Sequence, residues 1–160
     1  MDLLYERDYD DINVSDICEK AGVGRTTYYR HFTNRKLDLI RYLGFIKWEE
    51  YKKSHEVTEK NETEQLFTHV FNNKKFFLRL KDQNIVEVIY MMLYDILGPS
   101  KEQSDLLMYG KAFFIGGYFG VIYQWIQGGC KETYPEVEQK FKDGIMFAIM
   151  EQKKKEDQQK

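Results

Sequence analysis

Apolar residues recur every three or four positions along most of this chain rather than at every second one, a spacing that predicts α-helices throughout. Leu3 and Leu4 fall in a short first helix that ends by Asp8, leaving Tyr9 and Ile12 to dock onto the next helices. Val14, Ile17 and Cys18 give a second helix one apolar face. Asn13 stands at its N-cap with Asp16 where a capping box places its acid, and Gly22 stands where a left-handed C-terminal turn is needed. Gly24 opens a third helix through His31, so a short turn joins two short helices, and Phe32 returns to the core. From Asn34 a longer helix carries Leu37, Ile40, Leu43, Ile46 and Tyr51.

Beyond the polar run around residues 55–64 the pattern resumes with Leu66, Phe67, Val70 and Phe71 and breaks near Asp82 to Asn84. Ile85 to Leu97 is apolar on nearly every side except Glu87 and Asp95, which predicts burial between other helices until Gly98-Pro99 ends the element. The next helix is expected from about Ser104 to Gln127, stopping at Gly128-Gly129. The last opens at Pro135 and fades into the charged, solvated tail EQKKKEDQQK. The fold class is therefore all-α, with a three-helix helix-turn-helix head at 1–42, a larger helical unit at 43–154 and a charged tail at 155–160.

Charge sharpens the picture. The net charge of −2 hides an asymmetry: residues 1–19 hold Arg7 against seven acids, whereas residues 20–47 hold seven bases against Asp38 alone. The second segment suits a phosphate-bearing partner. Cys18 and Cys130 lie far apart without C-x-x-C spacing, and the acidic start lacks the basic and apolar regions of a secretory signal; both features predict a cytoplasmic protein. His31, His55 and His69 are scattered, so no metal-ligand spacing is present. Neither a phosphate-binding glycine loop nor a Ser/His/Asp order appears, which predicts no enzyme and no cofactor. Ala112 to Cys130 is free of formal charge and nearly long enough to span a bilayer. Gln124, Gln127 and its glycines dilute its hydrophobicity, so a buried helix is the expectation, not a membrane span.

The stretch YERDYDDINVSDICEKAGVGRTTYYRHFTNR, residues 5–35, resembles the N-terminal signature of TetR/AcrR-family regulators, roughly G-Y-x-x-I/T-T/S-V-x-D-I-A-x-x-A-G-V-S-x-x-T-x-Y-x-H-F-x-x-K. The resemblance implies that Asn13 to Ala21 is the supporting helix, Gly22 and Val23 the turn, and Gly24 to His31 the recognition helix of the major groove. It implies that Arg25, Thr26 and Tyr28 lie nearest base edges, while Thr27, Tyr29, His31 and Arg35 hold phosphates. That division suits an arginine that bridges guanine O6 and N7 and hydroxyls that give single bonds to backbone oxygens. Tyr28 and Tyr29 have a second reading as partly core, whereas Val14, Ile17, Val23 and Phe32 read as core. Arg30 and Lys36 are taken as electrostatic support. Three features depart from the family pattern: the first helix is short, Asp8 replaces the turn glycine, and Gly24 replaces the serine cap.

Towards the C-terminus, YGKAFFIGGYFGVIYQWIQGGCKETYPEVEQ resembles the penultimate helix and following turn of many regulators in this family, whose last two helices form a dimer interface. The resemblance implies a homodimer joined through Gly116, Gly117, Tyr118, Gly120 and Val121 that reads a near-palindromic operator in double-stranded DNA. Trp48, Phe67, Phe71, Tyr90, Met91, Tyr94 and Phe114 are the candidates for a pocket that takes a small apolar effector, against a reading of each as plain core. The function expected is that of a ligand-responsive repressor. The alternative is an interaction protein with an impaired head, whose C-terminal domain binds a protein partner.

Overall fold

The computed structural model describes residues 2–32, 36–58, 60–99 and 104–158. Among the described residues every regular element is a helix: α1 (Asp2–Glu6), α2 (Val14–Ala21), α3 (Arg25–His31), α4 (Lys36–Ser54), α5 (Glu62–Asn72), α6 (Lys74–Asp82), α7 (Val88–Leu97), α8 (Asp105–Gln127) and α9 (Tyr134–Gln158). Local chemistry sets the ends of α2. The Asp16 carboxylate accepts from the Asn13 N–H at 2.7 Å, and Gly22 turns left-handed at φ 65° so that its N–H and that of Val23 reach back to Glu19 and Cys18 carbonyls.

Helix α4 belongs to both units. Its first turns carry Ile40 into the head, and its middle carries Trp48, 1% exposed, into the rear core. There it lies against α7, where Gly44 permits a close approach: a Cβ at that position would stand 2.5 Å from the Met92 sulfur. The Arg41 guanidinium donates to both carboxylate oxygens of Asp95, tying α4 to α7 by a two-pronged ion pair. Val88, Ile89, Met92 and Leu93 of α7 and Ile115, Ile122, Trp125 and Ile126 of α8 complete the centre of the core.

Five sequence expectations change. Residues predicted as one helix from Leu66 onward form two, because the Asn73 amide donates to the His69 carbonyl at 2.7 Å and its backbone leaves the helical region. Helix α7 starts at Val88 rather than Ile85, and its Tyr90 and Tyr94 face outward, so only one side of it is buried. Val23, which follows the left-handed Gly22 in the turn between α2 and α3, is exposed. The last helix begins one residue before Pro135, where Thr133 donates both its N–H and its hydroxyl to the Glu136 carboxylate, and it continues to Gln158 into the segment expected to fray. Helix α8, expected to be buried, keeps a broad apolar face exposed: Leu106 is 85%, Tyr109 78% and Phe113 76% accessible. It is long and apolar enough to cross a membrane, yet Ile115, Ile122, Trp125 and Ile126 seat one side of it in the core.

Candidate nucleic-acid interface

Helix α3 is short, so its placement depends on what anchors it. Tyr28 is the anchor. It is 4% exposed, its ring lies 5.3 Å from that of Phe32 and 5.4 Å from that of Tyr29, and burial raises its phenol above the ordinary tyrosine range. With Tyr28 turned inward, its base-edge role is corrected to one of packing: an aromatic ring held among Tyr29 and Phe32 is not presented to a groove. The phenolic oxygen has no hydrogen-bond partner among the described residues.

The rest of α3 points the other way. Arg25, Thr26, Thr27, Tyr29, Arg30 and His31 are all exposed, with Tyr29 51% accessible. The inward turn of one residue in seven leaves a nearly continuous outer surface of guanidinium, hydroxyl and imidazole groups. Arg25 and Arg30 have no carboxylate partner among the described residues, so their charge is available to an incoming anion. Elsewhere in the head, Arg7 pairs with Asp16 at 3.2 Å and Lys20 with Glu6 at 3.0 Å. The acids of the N-terminal segment are thus partly used within the head. Arg35 lies outside the described residues.

Two residues position this surface in ways the sequence does not mark, Ser15, which sequence reasoning missed, and Lys36. The Ser15 hydroxyl of α2 accepts from the Arg25 Nη2, holding one tip of the guanidinium against the supporting helix. Lys36, read from sequence as electrostatic support, donates to the Tyr9 carbonyl, with its ammonium 4.3 Å from the centre of the Tyr9 ring. It therefore locks the α1–α2 connection onto α4. The helical spacing of Ser15 and Arg25 carries no mark of their meeting, because the crossing of α2 and α3 decides it.

Family models match both units of the chain: one for bacterial regulatory proteins of the tetR family over residues 1–42, and one for a transcriptional regulator C-terminal region over residues 58–147, more than half of the chain. The chain belongs to the TetR family. It is a transcriptional regulator of TetR type, built from a helix-turn-helix head and a helical C-terminal domain. Neither a curated protein nor a solved structure matches it with significance.

In this TetR-family chain the seven residues named for an effector pocket do not line one cavity. Trp48 borders a space of about 30 Å³ between α4, α5, α6 and α7, enough for a water molecule. Phe67 and Phe71 are spent on a core stack, with Phe71 4.0 Å from the Trp125 ring and Phe67 5.6 Å from that of Tyr134. Tyr90, Tyr94 and Phe114 are exposed and Met91 is half-buried. The set is corrected because its members sit on different helix faces, which similar sequence spacing conceals. A cavity of about 300 Å³ instead lies in the head, lined by Leu3, Leu4, Ile12, Ile17, Leu39 and Leu43 among others.

The glycines of α8 stand otherwise. Gly116, Gly117 and Gly120 are not buried, and a Cβ on any of them would meet nothing within 4 Å. Val121 is half-buried, and Tyr118 turns its ring edge towards Phe67 at 5.2 Å. On the neighbouring α9, Ile145, Met146, Phe147 and Met150 are also exposed.

Proposed function

We propose that this regulator binds double-stranded DNA as a homodimer and represses transcription until a small apolar effector is bound. The observation that carries the reading is the division of α3, with Tyr28 buried and Arg25, Thr26, Thr27, Tyr29, Arg30 and His31 outward. Arg25 reads a base edge by its two-donor fork; Thr26 and Thr27 contribute single hydroxyl bonds; Tyr29, His31 and Arg35 hold phosphates. The protein works in the cytoplasm, where its DNA lies.

Dimerisation is supported by the exposed apolar surface that α8 and α9 share. Leu106, Tyr109, Phe113, Gly116 and Gly120 follow one another along α8 at three- and four-residue steps, a spacing that places them on one side of a helix. Burying that side against a second copy takes the exposed Leu106, Tyr109 and Phe113 side chains out of water. Gly116 and Gly120, at which a Cβ would meet nothing within 4 Å, leave room for two α8 helices to approach closely. Two heads so joined face a near-palindrome, about one DNA turn or a multiple of it apart.

A gel shift on the DNA upstream of the gene and its neighbours, over a salt series, tests this. Selective binding that weakens steeply with salt supports it. Retention of no duplex, with capture of a stable protein partner through the C-terminal domain, supports the alternative of an interaction protein.

A further inference from the structure

Arg79 and Gln83, at the C-terminal end of α6, reach the head from more than seventy residues away in sequence. The Arg79 Nε donates to the Leu4 carbonyl at 2.6 Å and its Nη2 to the Arg7 carbonyl at 2.9 Å, while the same guanidinium lies 3.5 Å from the Asp8 carboxylate. Gln83 uses both ends of its amide: Oε1 accepts from the Tyr9 N–H, and Nε2 donates to the Asp8 carboxylate at 3.1 Å. The contacts fall mainly on backbone at the end of α1 and the turn after it.

Chemistry makes this a firm grip. The last carbonyls of a helix have no partner inside it, and α1, five residues long, has little else to offer them. A guanidinium presents its donors in a rigid plane, so two of them on carbonyls three residues apart fix an angle as well as a distance. The Arg79 side chain is 21% exposed, which limits competition from water. Backbone acceptors cannot evade the grip by changing rotamer.

Geometry gives it a consequence. The head joins the rear domain covalently through α4 alone, and α4 is itself held to α7 by Arg41 and Asp95. A body attached along one rod remains free to rock about it. A second attachment, on the end of α1 and the turn after it rather than on α4 itself, removes the freedom. We propose that Arg79 and Gln83 are positioning residues that set the angle of the head on the rear domain, and with it the half-site spacing that the dimer accepts. The inference rests on the reading of the chain as a dimeric DNA binder; neither residue touches DNA.

The test compares the parent chain with Arg79→Ala/Gln83→Ala and with Arg79→Lys on duplexes that keep one half-site sequence and vary the spacing by single base pairs. In the double variant, the parent's preference for its best spacing over the next is expected to fall by about tenfold, while the selected half-site sequence stays the same. Arg79→Lys, which keeps the charge and loses the fork, is expected to fall between the two. Amide exchange supplies a readout free of DNA: residues 4–12 exchange faster in the double variant while α5 to α8 do not change. An unchanged spacing preference overturns the proposal, even if all affinities drop together or the melting temperature falls. If the parent chain itself selects no duplex, the DNA-binding reading fails; exchange at residues 4–12 then decides, and equal rates overturn the grip as well.

Discussion

Gly44 on α4 faces Met92 on α7 across a gap that leaves no room for a side chain: a Cβ on the glycine would stand 2.5 Å from the methionine sulfur and 2.8 Å from its terminal methyl. The helix that carries the reading head thus lies directly on the central helix of the rear core. Met92 is buried but flexible, and so can yield if space is made for it. Gly44→Leu is expected to destabilise the protein by about 1–3 kcal/mol through overpacking. Adding Met92→Ala is expected to recover part of that loss, and denaturant midpoints around the double-mutant cycle read the coupling.

Two adjacent tyrosines are expected to behave in opposite ways. Tyr28→Phe removes a buried hydroxyl that has no partner among the described residues, so stability should hold or rise by about 1 kcal/mol, with DNA selection unchanged. Tyr29→Phe alters an exposed group, so stability should stay within about 0.5 kcal/mol while affinity for every duplex weakens alike. Thermal unfolding and gel shifts on the two variants check the pair.

At the turn between α2 and α3, Gly22 adopts φ 65° with open space where a Cβ would go. The cost of Gly22→Ala is therefore backbone strain alone, about 1–2 kcal/mol. A larger loss, measured by denaturant titration, would mean that the turn holds more than its own conformation.

His69 supplies a pH dependence. Burial, aided by Lys47 and His55, lowers its imidazole to about 4, below the ordinary value of 6.5. The unfolded chain then binds a proton that the folded one refuses between those values, so stability is full above pH 6.5 and is lost as pH falls towards 4. In His69→Gln the part of the slope due to this group should vanish, as denaturant midpoints at pH 7 and pH 5 would show.

What could be read from the sequence was what local chemistry decides. Asn13, Asp16 and Gly22 each act within a few residues of themselves, and they set the ends of α2. The residue types of α3 likewise announced its outward chemistry. Tyr28 and Tyr29 did not announce which of them turns in, because in a helix of seven residues the inward direction is set by Phe32 and the helices behind it. The break at Asn73 has neither glycine nor proline to signal it, only an amide reaching back to His69. The aromatic residues of the rear domain repeat at helical spacing whether they line a cavity or fill a core, so Phe67 and Phe71 could not be told apart from pocket residues until Trp125 and Tyr134 were seen against them. Contacts such as Arg79 to Leu4 join positions too distant for any pattern to mark.

The apolar face of α8 and α9 gives a further expectation. Phe113→Glu places a charge on an exposed side chain outside the core, so helical circular dichroism should persist. Sedimentation should show a dimer for the parent and a monomer for the variant at micromolar concentration, with DNA affinity lost alongside.

Selection of bound duplexes from a random pool, run in parallel for the parent chain, Arg25→Ala and Tyr28→Phe, tests the outward division of α3 most directly. The parent is expected to recover a near-palindrome, Arg25→Ala to relax the choice of base at one position in each half-site, and Tyr28→Phe to recover the parent sequence. Recovery of the same sequence by Arg25→Ala, together with a changed sequence from Tyr28→Phe, would contradict the account.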